Sequence, residues 1–248
     1  MLVVALMIFA TSVAWAKTAD MSNVRGMLVP VQKTVLASRL NATIVELDVR
    51  FGSRFRQGQQ LLKYDCQTNV AELKVSQAEL KAASAKHDNN LMQARYGSLG
   101  ELEVQLSEAD VNKYRAEVEK HQIDVNMCQV MSPFSGRVVK LHVDPFQFVK
   151  IGEPLLEVLD DSDLEVILYV PSHWLKWLRP GVSFKMEVSE TGRAYPGQVM
   201  SIGAQVDAAS RTIELRGKLS RHFPDLLPGM SGSVSFKSNR AHLSQNMR

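Results

Sequence analysis

Two cysteines, Cys66 and Cys128, are the residues in this chain whose type and spacing most plainly allow chemistry. A thiol pair can bridge, ligate a metal or cycle between redox states. Ligation needs further thiols, imidazoles or carboxylates at short spacing, and no such cluster sits beside either thiol. Two histidines, His87 and His121, are ligands by type, but they lie 34 residues apart within a pattern that separates them in space. Asp207, Ser210 and Arg211 look catalytic by type, yet a tight turn in which the aspartate caps backbone amides accounts for them. No Ser/His/Asp constellation, phosphate-binding glycine loop or metal triad occurs, so the enzyme reading has no residue to rest on and no cofactor is expected. The eleven methionines are scattered rather than grouped with histidine, which gives no support to metal export.

The elements around the cysteines decide what they do. From about Asp65 to Asn126 the apolar residues recur at alternating spacings of three and four, which is a coiled-coil seam. On the first side the column is Val70, Leu73, Gln77, Leu80, Ser84, His87, Leu91 and Ala94; on the second it is Val104, Ser107, Val111, Tyr114, Val118, His121, Val125 and Cys128. Gly97 is suited to the left-handed conformation that ends a helix, and Ser98 with Glu101 has the spacing of a capping box. The midpoint between the cysteines is residue 97, so two arms of about 30 residues fold back on each other, each about 45 Å long at 1.5 Å per residue. Mirror symmetry about that turn sets His87 near residue 107 and His121 near residue 73. It also sets Cys66 opposite Cys128 at the root. A bridge there stabilises by about 4 kcal/mol in the chain-entropy model; two buried free thiols are the alternative.

The hairpin interrupts a repeat. Ile44 to Val49, continuing through Gly58, Leu61 and Leu62, recurs 94 residues later as Val138 to Val143, Gly152, Leu155 and Leu156. Each copy alternates apolar and polar residues and turns at a glycine, the signature of short half-buried strands. Two such half-sheets make one sandwich over residues 37–65 and 129–160, with the hairpin, 66–128, inserted between them. A lipoyl or biotin carrier needs a modifiable lysine on the turn between the halves, and here the hairpin replaces that turn. Residues 17–36 are read as a lead-in. Five alternating stretches over 161–237 suggest a small antiparallel β-barrel, with Trp174, Trp177 and Leu178 as its plug, followed by a polar tail, 238–248. The fold class is therefore mainly β with a helical insertion.

Composition limits the partners. The 248 residues carry 29 basic and 26 acidic side chains, a net charge of +3 without basic-aromatic interleaving, which argues against nucleic acid. Residues 1–16 are apolar and end Ala14-Trp15-Ala16, a secretory cleavage pattern too short to span a bilayer, although the segment has no Lys or Arg; an interfacial anchor is the other reading. Export makes a disulfide permissible.

Three stretches resemble one family: Leu47 to Gly52 with Gly58 to Leu62 and Asp65-Cys66; Cys128 to Val138, including Ser132-Pro133-Phe134-Ser135-Gly136; and Val206 to Ile213 with Leu227 to Met230. They resemble the periplasmic adaptor proteins (membrane fusion proteins, HlyD-type) of bacterial tripartite efflux and secretion systems. The resemblance implies a lipoyl-like sandwich split by a helical hairpin and followed by a β-barrel. It implies a non-enzymatic, inner-membrane-associated periplasmic subunit that joins a transporter, of the RND type, to an outer-membrane channel as a trimer or hexamer ring. It also implies a further membrane-proximal domain, expected here to be absent or vestigial because only 11 residues follow Lys237. At the hairpin tip the family pattern is Arg, Leu four on and Ser eleven on; Arg95 and Leu99 match, position 106 is Leu, and the serine is Ser107. The alternative outside this family is a free-standing periplasmic coiled-coil scaffold without a pump.

Overall fold

A computed structural model describes residues 22–236. The expected signal peptide and polar tail lie outside the described residues. The described chain forms two units, one from residues up to Val29 together with Leu164 onward, the other from Pro30 to Asp163.

The first unit is a closed barrel of six strands: β1 (Ser22–Pro30), β10 (Leu164–Pro171), β11 (Ser183–Val188), β12 (Arg193–Asp207), β13 (Thr212–Leu219) and β14 (Ser231–Phe236). Their order around the barrel is β1-β10-β13-β12-β11-β14. Five strands were expected, with residues 17–36 as a lead-in; instead β1 pairs with β14 along Ser22 to Met27 and closes the barrel. Closure removes the edge that a five-stranded sheet would leave open. Inward residues alternate as the pleat requires: Val166, Leu168 and Val170 on β10, Phe184 and Met186 on β11, Leu215 on β13 and Val234 on β14 are all buried. Glycines make room for the largest of them. A Cβ at Gly217 would lie 2.4 Å from the Phe184 ring and one at Gly197 2.5 Å from it, so bare backbone on β12 and β13 seats that ring. The tryptophan cluster is the plug the sequence suggested. Trp174, on the short 3₁₀ turn Ser172–Lys176, is buried edge-on to Phe236 with ring centroids 5.5 Å apart.

The second unit is a sandwich of two four-stranded sheets carrying a helical hairpin. Its strands are β2 (Lys33–Ala37), β3 (Ala42–Leu47), β4 (Arg54–Phe55), β5 (Gln60–Tyr64), β6 (Gln129–Met131), β7 (Gly136–Leu141), β8 (Phe148–Val149) and β9 (Pro154–Leu159). The sheets run β2-β9-β7-β4 and β6-β5-β3-β8. The 94-residue offset holds strand by strand, since β3, β4 and β5 begin at 42, 54 and 60 and β7, β8 and β9 at 136, 148 and 154. The two copies do not form separate sheets. β3 of the first copy pairs with β8 of the second, and β7 of the second with β4 of the first. The shared core contains the repeated pairs Leu61/Leu155, Leu62/Leu156 and Val49/Val143. One position breaks the match: Gly52 takes a left-handed φ of 74°, and its equivalent Phe146 takes 66° with its ring exposed. β2, expected to be lead-in, is an edge strand on β9. Beyond β9 the buried carboxylate of Asp161 meets Arg54 at 2.9 Å and Arg137 at 3.0 Å, the pairing a buried charge requires.

The hairpin is α1 (Gln67–Arg95) and α2 (Glu101–Asn126), 29 and 26 residues. Cys66 and Cys128 are disulfide-bonded with Cα atoms 6.0 Å apart, which closes the root. The backbone closes it as well, through Tyr64 N–H to Cys128 C=O at 2.9 Å and the β5–β6 pairing. At the other end Gly97 adopts a φ of 70°, as the turn requires. The capping box does not form. Gly100 is the N-cap of α2, and the Ser98 hydroxyl donates to the Gln93 carbonyl at 2.8 Å, which ties it to the end of α1 instead.

Three stability outcomes follow from these contacts. Gly217→Val should displace Phe184 and lower barrel stability by about 1–3 kcal/mol, with helicity unchanged by circular dichroism. Replacing both cysteines by serine should cost the Pro30–Asp163 unit up to about 4 kcal/mol in urea unfolding, while the paired β5 and β6 keep the hairpin in place. In the barrel, Tyr195 donates to Asp225 at 2.6 Å and holds that carboxyl below its ordinary range, with Arg193 adding to the effect. A lowered folded value means this contribution is present above the unfolded carboxylate range near pH 4 and fades as pH falls through the folded value. The Tm gap between the parent and Tyr195→Phe should therefore narrow between pH 5 and 2.

Candidate functional site: the hairpin, its seam and its tip

The hairpin is the element that neither core explains, so the candidate site is built on it. The helices meet along Leu73, Leu80, His87 and Ala94 of α1, as the spacing predicts. The alternate column is shifted back by one residue, to Asn69, Ser76, Ala83 and Asn90, in place of Val70, Gln77, Ser84 and Leu91. Small residues there let the backbones approach. On α2 the predicted column holds, with Ser107 and Val111 buried.

Two polar levels lie in this seam, one hydrogen-bonded across it and one not. His87 Nδ1 lies 2.9 Å from the Ser107 hydroxyl, which also donates to the Val104 carbonyl at 2.8 Å. A hydrogen-bonded polar layer of this kind favours one register, because slipping one helix would leave His87 Nδ1 without its partner while Ser107 kept its bond to Val104. Nearer the root, His121 Nδ1 lies 3.8 Å from Glu72 of α1 and 3.8 Å from Asp124 of its own helix. The two histidines thus sit on separate levels, as the mirror symmetry requires. Among the described residues no group of three or more His, Cys, Asp or Glu side chains is arranged to hold a metal ion.

The three expected tip residues are not equivalent. Arg95 ends α1 and is exposed, and Leu99 is half-buried in the turn. Ser107 is fully buried against His87, so the contact role expected of it does not fit; its hydroxyl serves the seam. One residue of slip on a helix is about 100° of rotation. The residue at the family's serine position is Leu106, 58% exposed. Tyr96, at 83%, and Leu102, at 64%, are further exposed apolar side chains here that reading for polar chemistry missed. A search for apolar residues off the seam would have found them.

Away from the hairpin, Asp207 accepts from the Ser210 backbone N–H at 2.7 Å and from its hydroxyl at 2.9 Å. Those bonds hold the Asp207 carboxyl below its ordinary range, and the group is a turn cap between β12 and β13. No helix among the described residues is long and apolar enough to cross a membrane.

Residues 166–240 match the family model of the CusB-like β-barrel domain. The chain is 26% identical over 221 residues to the nodulation protein NolF of Rhizobium meliloti, covering 82% of this chain and 60% of that protein. It is 21% identical over 240 residues to the multidrug resistance protein MdtA of Photorhabdus laumondii, covering 86% of this chain and 59% of that protein. The chain thus spans about three fifths of the length of these relatives. The same fold occurs in a MacA-MexA chimeric protein containing the Pseudomonas aeruginosa MexA α-hairpin domain, with a TM-score of 0.77 at 17% identity over 86% of this chain and 79% of that one. It occurs again in the membrane fusion protein Spr0693 of Streptococcus pneumoniae, with a TM-score of 0.73 at 15% identity over 86% and 97%. The barrel-domain match and the relatives indicate a membrane fusion protein, or periplasmic adaptor, and the fold is the one such proteins have.

Proposed function

We propose that this adaptor links an inner-membrane transporter, of the RND type, to an outer-membrane channel in a tripartite efflux or secretion system. The observation that carries the reading is a free, rigid arm. Two helices of 29 and 26 residues, about 40 Å long, leave the sandwich and end in a turn where Tyr96 is exposed and no side chain belongs to either core. Catalysis would concentrate perturbed, convergent polar groups in a cleft. Here the convergent polar groups, His87 with Ser107 and Asp207 with Ser210, are spent on register and on a turn. Work done by such a chain is positional.

In this reading the tip meets the channel through Arg95 and Leu99, with Tyr96 and Leu106 adding apolar area. The barrel and sandwich face the transporter. The chain acts in the periplasm after export, as several copies around a common axis.

A photoreactive residue at position 99, activated in cells, should capture an outer-membrane channel protein identifiable by mass spectrometry. Capture of nothing but further copies of the chain would sink the tripartite reading in favour of a free-standing scaffold. The double variant Arg95→Asp/Leu99→Asp should abolish export while the chain stays folded by circular dichroism, since neither residue belongs to either core.

A further inference from the structure

The bridge between Cys66 and Cys128 joins two sulfurs in unlike surroundings. They differ first in access. Cys128 is 6% exposed, whereas Cys66 is half-buried and has exposed residues on both sides, Asp65 before it and Gln67 and Thr68 after it. They differ again in field. Cys66 is the N-cap of α1, with no side-chain cap hydrogen bond and no acidic residue in the first turn. The N–H groups and dipole of a helix N-terminus stabilise a thiolate there. Asp65, just ahead, offsets this only in part, because its carboxylate is engaged with the Gln67 N–H at 3.3 Å. Cys128 follows α2, which ends at Asn126 with no basic residue in its last turn. Its Sγ lies 3.5 Å from the Asp124 carbonyl oxygen. Burial and the negative end of a helix both disfavour a thiolate at that position.

We infer that this disulfide is a one-sided latch: it exchanges with external disulfides and thiols through Cys66 Sγ, closing fast and reopening slowly. Closure begins when the Cys66 thiolate attacks the disulfide of an organic oxidant. A bond forms between Cys66 Sγ and one oxidant sulfur, and the other leaves as a thiolate that takes up a proton. Cys128, having given its proton to water, then attacks Cys66 Sγ and expels the remaining oxidant sulfur, which is protonated in turn. The two cysteines lose two electrons, and the oxidant gains them as a pair of thiols.

Each step draws on a different sulfur. The first needs a reachable thiolate, which Cys66 supplies. The second needs a strong nucleophile already in place. A thiolate its surroundings stabilise poorly is such a nucleophile, and the β5–β6 ladder with the Tyr64-to-Cys128 backbone bond holds Cys128 beside its target. Reopening meets the same asymmetry in reverse. A thiol that attacks the reachable sulfur, on Cys66, has to expel Cys128, the poorer leaving group. The better leaving group, Cys66, departs only on attack at Cys128, which is shielded. Neither route is fast while the fold is intact.

Bis(2-hydroxyethyl) disulfide, an uncharged oxidant, is added to the full chain carrying Cys128→Ala and, separately, Cys66→Ala, each with the parent's helicity by circular dichroism. Mass spectrometry should show the mixed disulfide forming at Cys66 at least about tenfold faster than at Cys128. In concentrated urea, where access and helix ends are lost, the two rates should converge. A third variant leaves both cysteines in place. Asn126→Lys puts a cation at the end of α2 and should speed reduction of the intact bridge by 2-mercaptoethanol about two- to fivefold, by easing the departure of Cys128. Equal rates in the folded single-cysteine chains, faster reaction at Cys128, or a ratio that survives urea would each overturn the assignment. So would an Asn126→Lys bridge that is reduced no faster than the parent's.

Discussion

A pair of helices about 40 Å long and held at one end is a lever, so its usefulness is set where it is held. A splay of a few degrees at the root becomes several ångströms at the tip. The chain resists that splay three times over within a few residues: by the Cys66–Cys128 bridge, by the Tyr64-to-Cys128 backbone bond and by the β5–β6 ladder. The sandwich supplies the stiffness behind the clamp, because β5 is also laced to β3 in the same sheet. Its core is then shared with the strands that follow the hairpin.

Further along the arm, rigidity depends on the seam. Its apolar content is modest, with few buried side chains between root and turn, and the His87–Ser107 pair adds one hydrogen-bonded layer across it. That is a different solution from the barrel, where a large continuous apolar core and an aromatic plug do the work. The division suits the tasks, since a barrel has to persist and an arm has to keep its register.

Much of this was legible in the residues because repeats and periods are local quantities. The 94-residue offset located both halves of the sandwich, and the switch to three-four spacing located the hairpin and its turn. Three failures have definite causes. Three-four spacing describes two adjacent columns equally well, and apolarity favoured Val70 and Leu91 where the structure half-buries Asn69 and Asn90 instead. The place of β1 in the barrel was missed because its partner β14 lies some 200 residues away, and no local pattern records such a pairing. Ser107 was misplaced by carrying over a residue type one position out of step, which on a helix exchanges the outside for the seam.

The interleaving of the two sandwich copies separates the length of the arm from the rest of the molecule. Each sheet draws strands from both sides of the insertion, so the sandwich depends on where the arm leaves and returns, and on nothing beyond that. Adding or removing seven residues in each helix would move the tip by about 10 Å while keeping seam and root in phase. Reach can therefore drift in evolution as whole heptads, with the gap to be bridged acting as the gauge and the folded body as a fixed handle.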